Sequence, residues 1–493
     1  MTATMPPGAA PRAWRTVGRA LPWLLLVVQL VLCFQFLRGA GRLELGMLAD
    51  THGYRIAGRA TTLSATLTNH RTVVYPALLR FYDRSGRTWK EIPRHQALVY
   101  LAAVVVFFAG LRVYSGSAWL ALAAAIPLIY SRSHQFLAWA QTDAPSISLT
   151  LVVFGLLFVL ASRPASWPTW VGLSAAVLLN YHTRPSTVFL IVLVPALAVI
   201  LRLCRRRQPL RSLARWAAGL TAATVVPYLL YALLRLVVVG HFGLVAFGGT
   251  NLIGVTANFL DKGIIAALPP GDLKVVAHRI RDRRVERGWH RMEFDVPAQI
   301  YFDQYNFNIW KMAVPVTRRR FRERTEPEFA ALAAKRDGRA PPPLVNPRPR
   351  WIEQHQMMLD LSRAIIRMRP YHYAHWVQQA WRYGLKETLK DGWIVWLLVL
   401  SAVSLPLAVL RGRRAEPPPA PEIAGGPERG RWWILVALLV TAASYFFIHM
   451  MLVCMISFPI TRYTVAATLF WAPFLAAQLF ELWRGILSGL WRA

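Results

Sequence analysis

Apolar runs of membrane-spanning length recur along this chain, separated by short charged stretches, and that alternation constrains the fold more than any motif does. Trp216 to Val239 reads WAAGLTAATVVPYLLYALLRLVVV, and Trp432 to Pro459 contains no Asp, Glu, Lys or Arg. In hydrocarbon every backbone polar group must be satisfied within the segment, so such runs are read as helices. Ten spans are expected, at about 20–37, 96–113, 117–130, 144–162, 169–182, 186–203, 216–239, 391–411, 432–456 and 463–483. The fold class is therefore an all-α polytopic membrane protein with two large extracytoplasmic loops. The run after Arg12, Arg15 and Arg19 is long for a signal peptide and lacks a small-residue cleavage site, so it is read as the first retained span.

Lys and Arg in short loops set the orientation. With the N-terminus in the cytoplasm, Arg202–Arg215, Arg411–Arg431 and the C-terminal Arg484 and Arg492 all fall inside. Both termini are then cytoplasmic, and residues 38–95 and 240–390 lie outside. This divides the chain into an N-terminal membrane module (1–239), an extracytoplasmic loop domain (240–390) and C-terminal helices (391–493). Ala340–Arg350, APPPLVNPRPR, reads as a connector. Within Glu353–Arg369, Met357, Leu361, Ile365 and Met368 recur at helical spacing.

The net charge of +33 lies between apolar spans, which points to anionic lipid or lipid-phosphate partners and away from nucleic acid. Cys33, Cys204 and Cys454 all sit in or beside spans, so neither a disulfide framework nor a zinc site is expected.

Several residues could carry chemistry at the outer face. Asp50, in LADTHGYRIAGRA, is a candidate general base, although a solvated loop carboxylate would look the same. Arg42, Arg55 and Arg59 are the cations expected to keep it ionised. Asp143, in QTDAPSISL, is expected to start a helix capped by Thr142, and could also orient a substrate or hold a cation. Arg184 in NYHTRPST and Arg462 in FPITRYT sit at one side of the membrane; an arginine at that depth needs a counter-charge, which a lipid phosphate would supply. Snorkelling to head groups is the alternative. Tyr301–Trp310, YFDQYNFNIW, offers Tyr305, Asn306 and Trp310, either to a sugar or as interface anchors. His372 and His375 share a helical face but lack further metal ligands.

In order and sidedness these elements resemble the GT-C class of membrane glycosyltransferases, near the protein O-mannosyltransferase and aminoarabinose-lipid transferase branch. The matching features are one N-terminal span, an outer loop with Asp50 and His70–Leu79 (HRTVVYPALL), then Thr142–Asp143, Thr183–Arg184–Pro185, a large outer domain and the late Arg462–Tyr463. The resemblance implies sugar transfer from a polyprenyl-phosphate donor to a lipid, glycan or protein acceptor, with inversion, at the outer face of a bacterial plasma membrane. It implies Asp50 as base, Arg184 and Arg462 on the donor phosphate, and Asp143 orienting the site or helping to hold a divalent cation. Tyr75 and Tyr463 would line the substrate site, and no fixed cofactor is implied. A transporter or lipid flippase, or a non-catalytic envelope polysaccharide assembly protein, are the rival readings. A transporter would place ionisable residues in mid-span.

Overall fold

The computed structural model describes residues 12–86, 88–163, 166–205, 209–288, 298–337, 349–412 and 431–490. Among them there is no strand, and one isolated bridge joins Gly46 to Trp139. The Ala340–Arg350 connector lies almost wholly outside the described residues.

Seven helical segments are long and apolar enough to cross a membrane: Ala20–Gly39, Trp89–Ser115, Asp143–Ser162, Pro185–Arg205, Leu210–Val239, Trp432–Ile456 and Thr461–Gly485. The three other expected spans are helices too, Ala118–Ile129, Trp167–Thr183 and Gly392–Gly412. The first has 12 residues, a length of roughly 18 Å, shorter than a hydrocarbon core of about 30 Å.

Asp143–Ser162 forms the centre of the bundle, with 72% of its apolar window buried. It crosses Ile92–Ser115 where Gly155 meets Gly110: a Cβ at Gly110 would lie 2.0 Å from the Gly155 carbonyl oxygen, and one at Gly155 would lie 2.6 Å from that of Val106. Without side chains at these points the two backbones approach closely, which is how membrane helices pack when no hydrophobic drive separates helix from lipid. Ala20–Gly39 and Leu210–Val239 lie at the periphery, each only 22% buried. Leu24, Val27, Val31, Phe36, Leu230 and Val237 are exposed on them. Apolar surface of this extent on regular helices is suited to lipid rather than water.

A second core is built by residues 253–380. On Arg350–Met368, Met357, Leu361 and Ile365 are buried in this core and Met368 packs against it, which is the stripe expected from the spacing. Phe446, Met450 and Cys454 of the helix Arg431–Ile456 join the same core, with Phe458 just beyond its end, so this region rests directly on that helix. Residues 298–325 form a continuous helix whose middle, Asn308–Ala313, widens to a π turn. Pro315 explains the widening: it has no N–H to donate to the Lys311 carbonyl, and its ring crowds that oxygen.

Arg235 ties the first loop to the second. Fully buried near the end of Leu210–Val239, it donates to the Leu67 carbonyl at 3.0 Å and to the Gly243 carbonyl at 2.7 Å. None of the three cysteines forms a disulfide, and all are buried.

Candidate active site

Five separated segments bring two carboxylates and three arginines together at one end of the bundle. Asp50 lies in the first turn of Ala49–Gly58. Thr51, next to it, accepts from the Leu48 N–H at 3.2 Å and donates to the Ala140 carbonyl at 3.0 Å, fixing that turn against the bundle. Asp50 Oδ1 accepts from Arg71 at 2.7 Å, and Oδ2 accepts from Arg462 at 3.1 Å.

Arg71 follows the short Leu63–Thr68 helix. Its guanidinium lies 4.5 Å from the Tyr54 ring centroid and 5.7 Å from that of Phe247. The lack of a side chain at Gly53 leaves it room, since a Cβ there would stand 3.2 Å from Arg71 Nη2. Thr72 donates to the Thr183 carbonyl at 3.2 Å, linking the Arg71 segment to the Arg184 segment.

Asp143 begins its helix as expected, but the capping is different. The Thr142 side chain does not cap; its hydroxyl lies 3.4 Å from the Tyr54 hydroxyl. The Asp143 carboxylate accepts from Arg184 in a pair that is almost wholly buried. Arg184 also donates from Nε to Ser186 at 3.0 Å. Behind it, Asn180 accepts from Ser146 at 2.8 Å and donates to Thr150 at 2.9 Å.

Arg462 lies in Thr461–Ala467. Its guanidinium and that of Arg184 lie 5.0 and 5.2 Å from the centroid of one ring, Tyr463, and Arg462 donates to the Tyr463 hydroxyl at 3.1 Å. Arg184 and Arg462 therefore meet at the same aromatic residue, although they lie 278 positions apart in sequence.

The charges do not balance. Three guanidinium groups face two carboxylates, which leaves one positive charge over at neutral pH. Arg71 Nε, Arg462 Nε and the Tyr75 hydroxyl are buried without a hydrogen-bond partner. A buried donor without a partner is costly, so the cluster is suited to receive an anion with several acceptor oxygens. Burial raises the Asp50 pKa, but Arg71 and Arg462 outweigh it and hold the carboxyl at about 2. Burial and the Arg71 charge hold His70 at about 4, so its imidazole is neutral at pH 7. Burial, followed by the neighbouring Tyr54 and Asp143, pushes the Tyr75 hydroxyl well above its ordinary value.

The remaining candidates stand in these surroundings. The cations beside Asp50 are Arg71 and Arg462; Arg42 and Arg59 are exposed, and Arg55 lies 3.7 Å from Asp83. Tyr305 is buried: its hydroxyl donates to Asn251 at 3.1 Å, and its ring lies so close to Gly254 that a Cβ there would be 2.6 Å away. Asn306 is half-buried on the same helix. Trp310 is 41% exposed, with its ring 6.5 Å from Phe247. His372 faces the Phe259 ring and His375 stacks on Tyr371. Among the described residues no three His, Cys, Asp or Glu side chains converge as metal ligands, and Asp143 faces an arginine.

Sequence reasoning missed Arg71, Tyr54 and Phe247. Arg71 stood inside the quoted HRTVVYPALL stretch, but only the fold shows that it reaches Asp50, 21 residues earlier. No family model matches the chain, no curated protein matches it, and no solved structure matches it.

Proposed function

We propose that this protein is a membrane glycosyltransferase that moves a sugar from a polyprenyl-phosphate donor to an acceptor at the outer face of a bacterial plasma membrane. One observation carries the reading: the surplus positive charge of Arg71, Arg184 and Arg462 beside the ionised Asp50, with two buried guanidinium N–H groups still unpartnered. A phosphate monoester or diester would balance that charge and accept those hydrogens. The reading includes ten membrane crossings, both termini cytoplasmic and the site facing outward.

In this reaction Asp50 accepts the proton of an acceptor hydroxyl. The acceptor oxygen bonds to the anomeric carbon as the bond from that carbon to the phosphate oxygen breaks. The electron pair leaves with the polyprenyl phosphate, and attack from the opposite face inverts the configuration. Arg462 stabilises the departing charge, and Asp143 holds Arg184 in position behind it. Arg71 adds a third cation.

The resting pairing has a consequence for the base. A carboxylate of pKa about 2 is ionised at any physiological pH but is a weak proton acceptor. When a donor phosphate draws off Arg462, Asp50 loses one of its two partners and becomes more basic. The base is thus strengthened by the substrate that needs it.

The ionisable residues converge at helix ends rather than in mid-span, which favours chemistry at one face over transport through the bundle. The test is incubation of the purified protein with a panel of labelled polyprenyl-phosphate sugars. Transfer to an acceptor, or slow release of free sugar, supports the reading. Absence of both, together with no binding of any polyprenyl phosphate, rejects it.

A further inference from the structure

Beside Asp50 and Arg71 stands a group of aromatic rings that the phosphate chemistry does not use. His70, Phe247, Trp310 and Trp351 come from both loops. His70 lies 4.6 Å from Trp351 and 5.9 Å from Phe247, centroid to centroid; Phe247 lies 6.4 Å from Trp351 at 19° and 6.5 Å from Trp310. The indole N–H of Trp351 is spent on the Ala246 carbonyl at 2.7 Å, which fixes that ring in place. Arg71 lies over Phe247 and bonds Asp50, so this aromatic wall and the candidate base share a residue.

Trp310 is the open member. It stands in the π turn of the long helix, where its neighbours Asn308, Ile309, Met312 and Ala313 are buried while it stays exposed. Such a turn redirects side chains and recurs at functional sites. A tryptophan that only anchors a helix in head groups would be expected at the end of an apolar span. Trp310 instead precedes the charged run Arg318, Arg319, Arg320, Arg322 and Arg324.

We infer that this wall is a saccharide subsite, and that the acceptor is a carbohydrate whose ring stacks on Trp310. This rests on the glycosyltransferase reading and narrows it. The C–H face of a pyranose is apolar and slightly positive, so it packs on the negative face of an indole. Its hydroxyl edge needs an acceptor and a charged donor at the rim, which Asp50 and Arg71 supply. The neutral His70 backs the wall without adding charge.

Saturation-transfer NMR on the purified protein, with free trisaccharides of glucose, mannose and N-acetylglucosamine as probes, tests this. Signal from ring protons of at least one probe is expected. It should weaken about tenfold in affinity in Trp310→Ala and in Phe247→Leu. Trp310 is exposed, so Trp310→Ala should keep the thermal unfolding midpoint of the parent, which is measured alongside. Binding of a polyprenyl phosphate is measured on the same samples. No saccharide signal, or equal signal in Trp310→Ala, overturns the subsite while polyprenyl-phosphate binding persists. Loss of polyprenyl-phosphate binding in the parent protein would instead reject the underlying reading.

Discussion

Replacing Arg71 by Gln removes the donor 2.7 Å from Asp50 Oδ1 and the cation 4.5 Å from the Tyr54 ring. A hydrogen bond to a charged group contributes about 1.5–3 kcal/mol, and a partly exposed cation–π contact about 0.5–1 kcal/mol. The Asp50 side chain is 31% exposed, so solvent screens the pair and the lower part of the range applies. The depression of the carboxyl from 3.8 to about 2 corresponds to about 2 kcal/mol, a net effect that Arg71 and Arg462 produce together against burial. The Tyr54 contact drops out of a double-mutant cycle. Asp50→Asn combined with Arg71→Gln should therefore show a coupling of about 1–2 kcal/mol, measured by unfolding in a single detergent. Because the folded pKa is depressed, this contribution is fully present above 3.8 and is lost as pH falls through about 2. Additivity within about 0.5 kcal/mol at neutral pH would show that the two groups do not interact. A coupling that persists below the folded pKa would assign it to packing rather than charge.

Other outcomes follow from the same structure. Arg184→Ala strands Asp143 in a nearly water-free site and should cost about 3–5 kcal/mol of stability. The double change Arg184→Gln with Asp143→Asn should cost less, and equal losses in thermal unfolding would contradict the pairing. Gly110→Ala places a Cβ 2.0 Å from a backbone oxygen and should lower stability by about 1–3 kcal/mol or more, read as a lower unfolding midpoint. Leu332→Cys tests orientation: Leu332 is 64% exposed and the native cysteines are buried, so an impermeant thiol reagent should label it in intact cells. Labelling only after permeabilisation would reverse the proposed topology.

The helices were legible because their signal is local. Length and apolarity mark the long spans, and the Met357–Leu361–Ile365 stripe marks a buried helix face. Asp50, Arg462 and Arg184 were legible as polar groups at span ends. The pairing was not, because it depends on contacts between distant segments: Asp50 to Arg462 spans 412 positions. Arg55 and Arg59 lie nearer Asp50 in sequence, yet Arg55 stands 3.7 Å from Asp83, Arg59 is exposed at the C-cap of the same helix, and Arg71, 21 residues on, supplies the partner instead. Tyr305 and Trp310 show the same limit. Five residues apart on one helix, they differ in burial because one lies against Gly254 and the other stands out from a widened turn. Composition gave both the same expectation. Glycine contacts and a proline-induced π turn separated them.

In the proposed reaction Asp50 takes a proton from the acceptor during sugar transfer. Turnover of a labelled polyprenyl-phosphate sugar by Asp50→Asn protein, compared with the parent, tests it most directly. The substitution keeps shape and one hydrogen-bond acceptor for the two arginines. Binding of polyprenyl phosphate should persist, while turnover falls by about two to four powers of ten. Near-parental turnover in Asp50→Asn, with loss in Asp143→Asn, would place the base elsewhere.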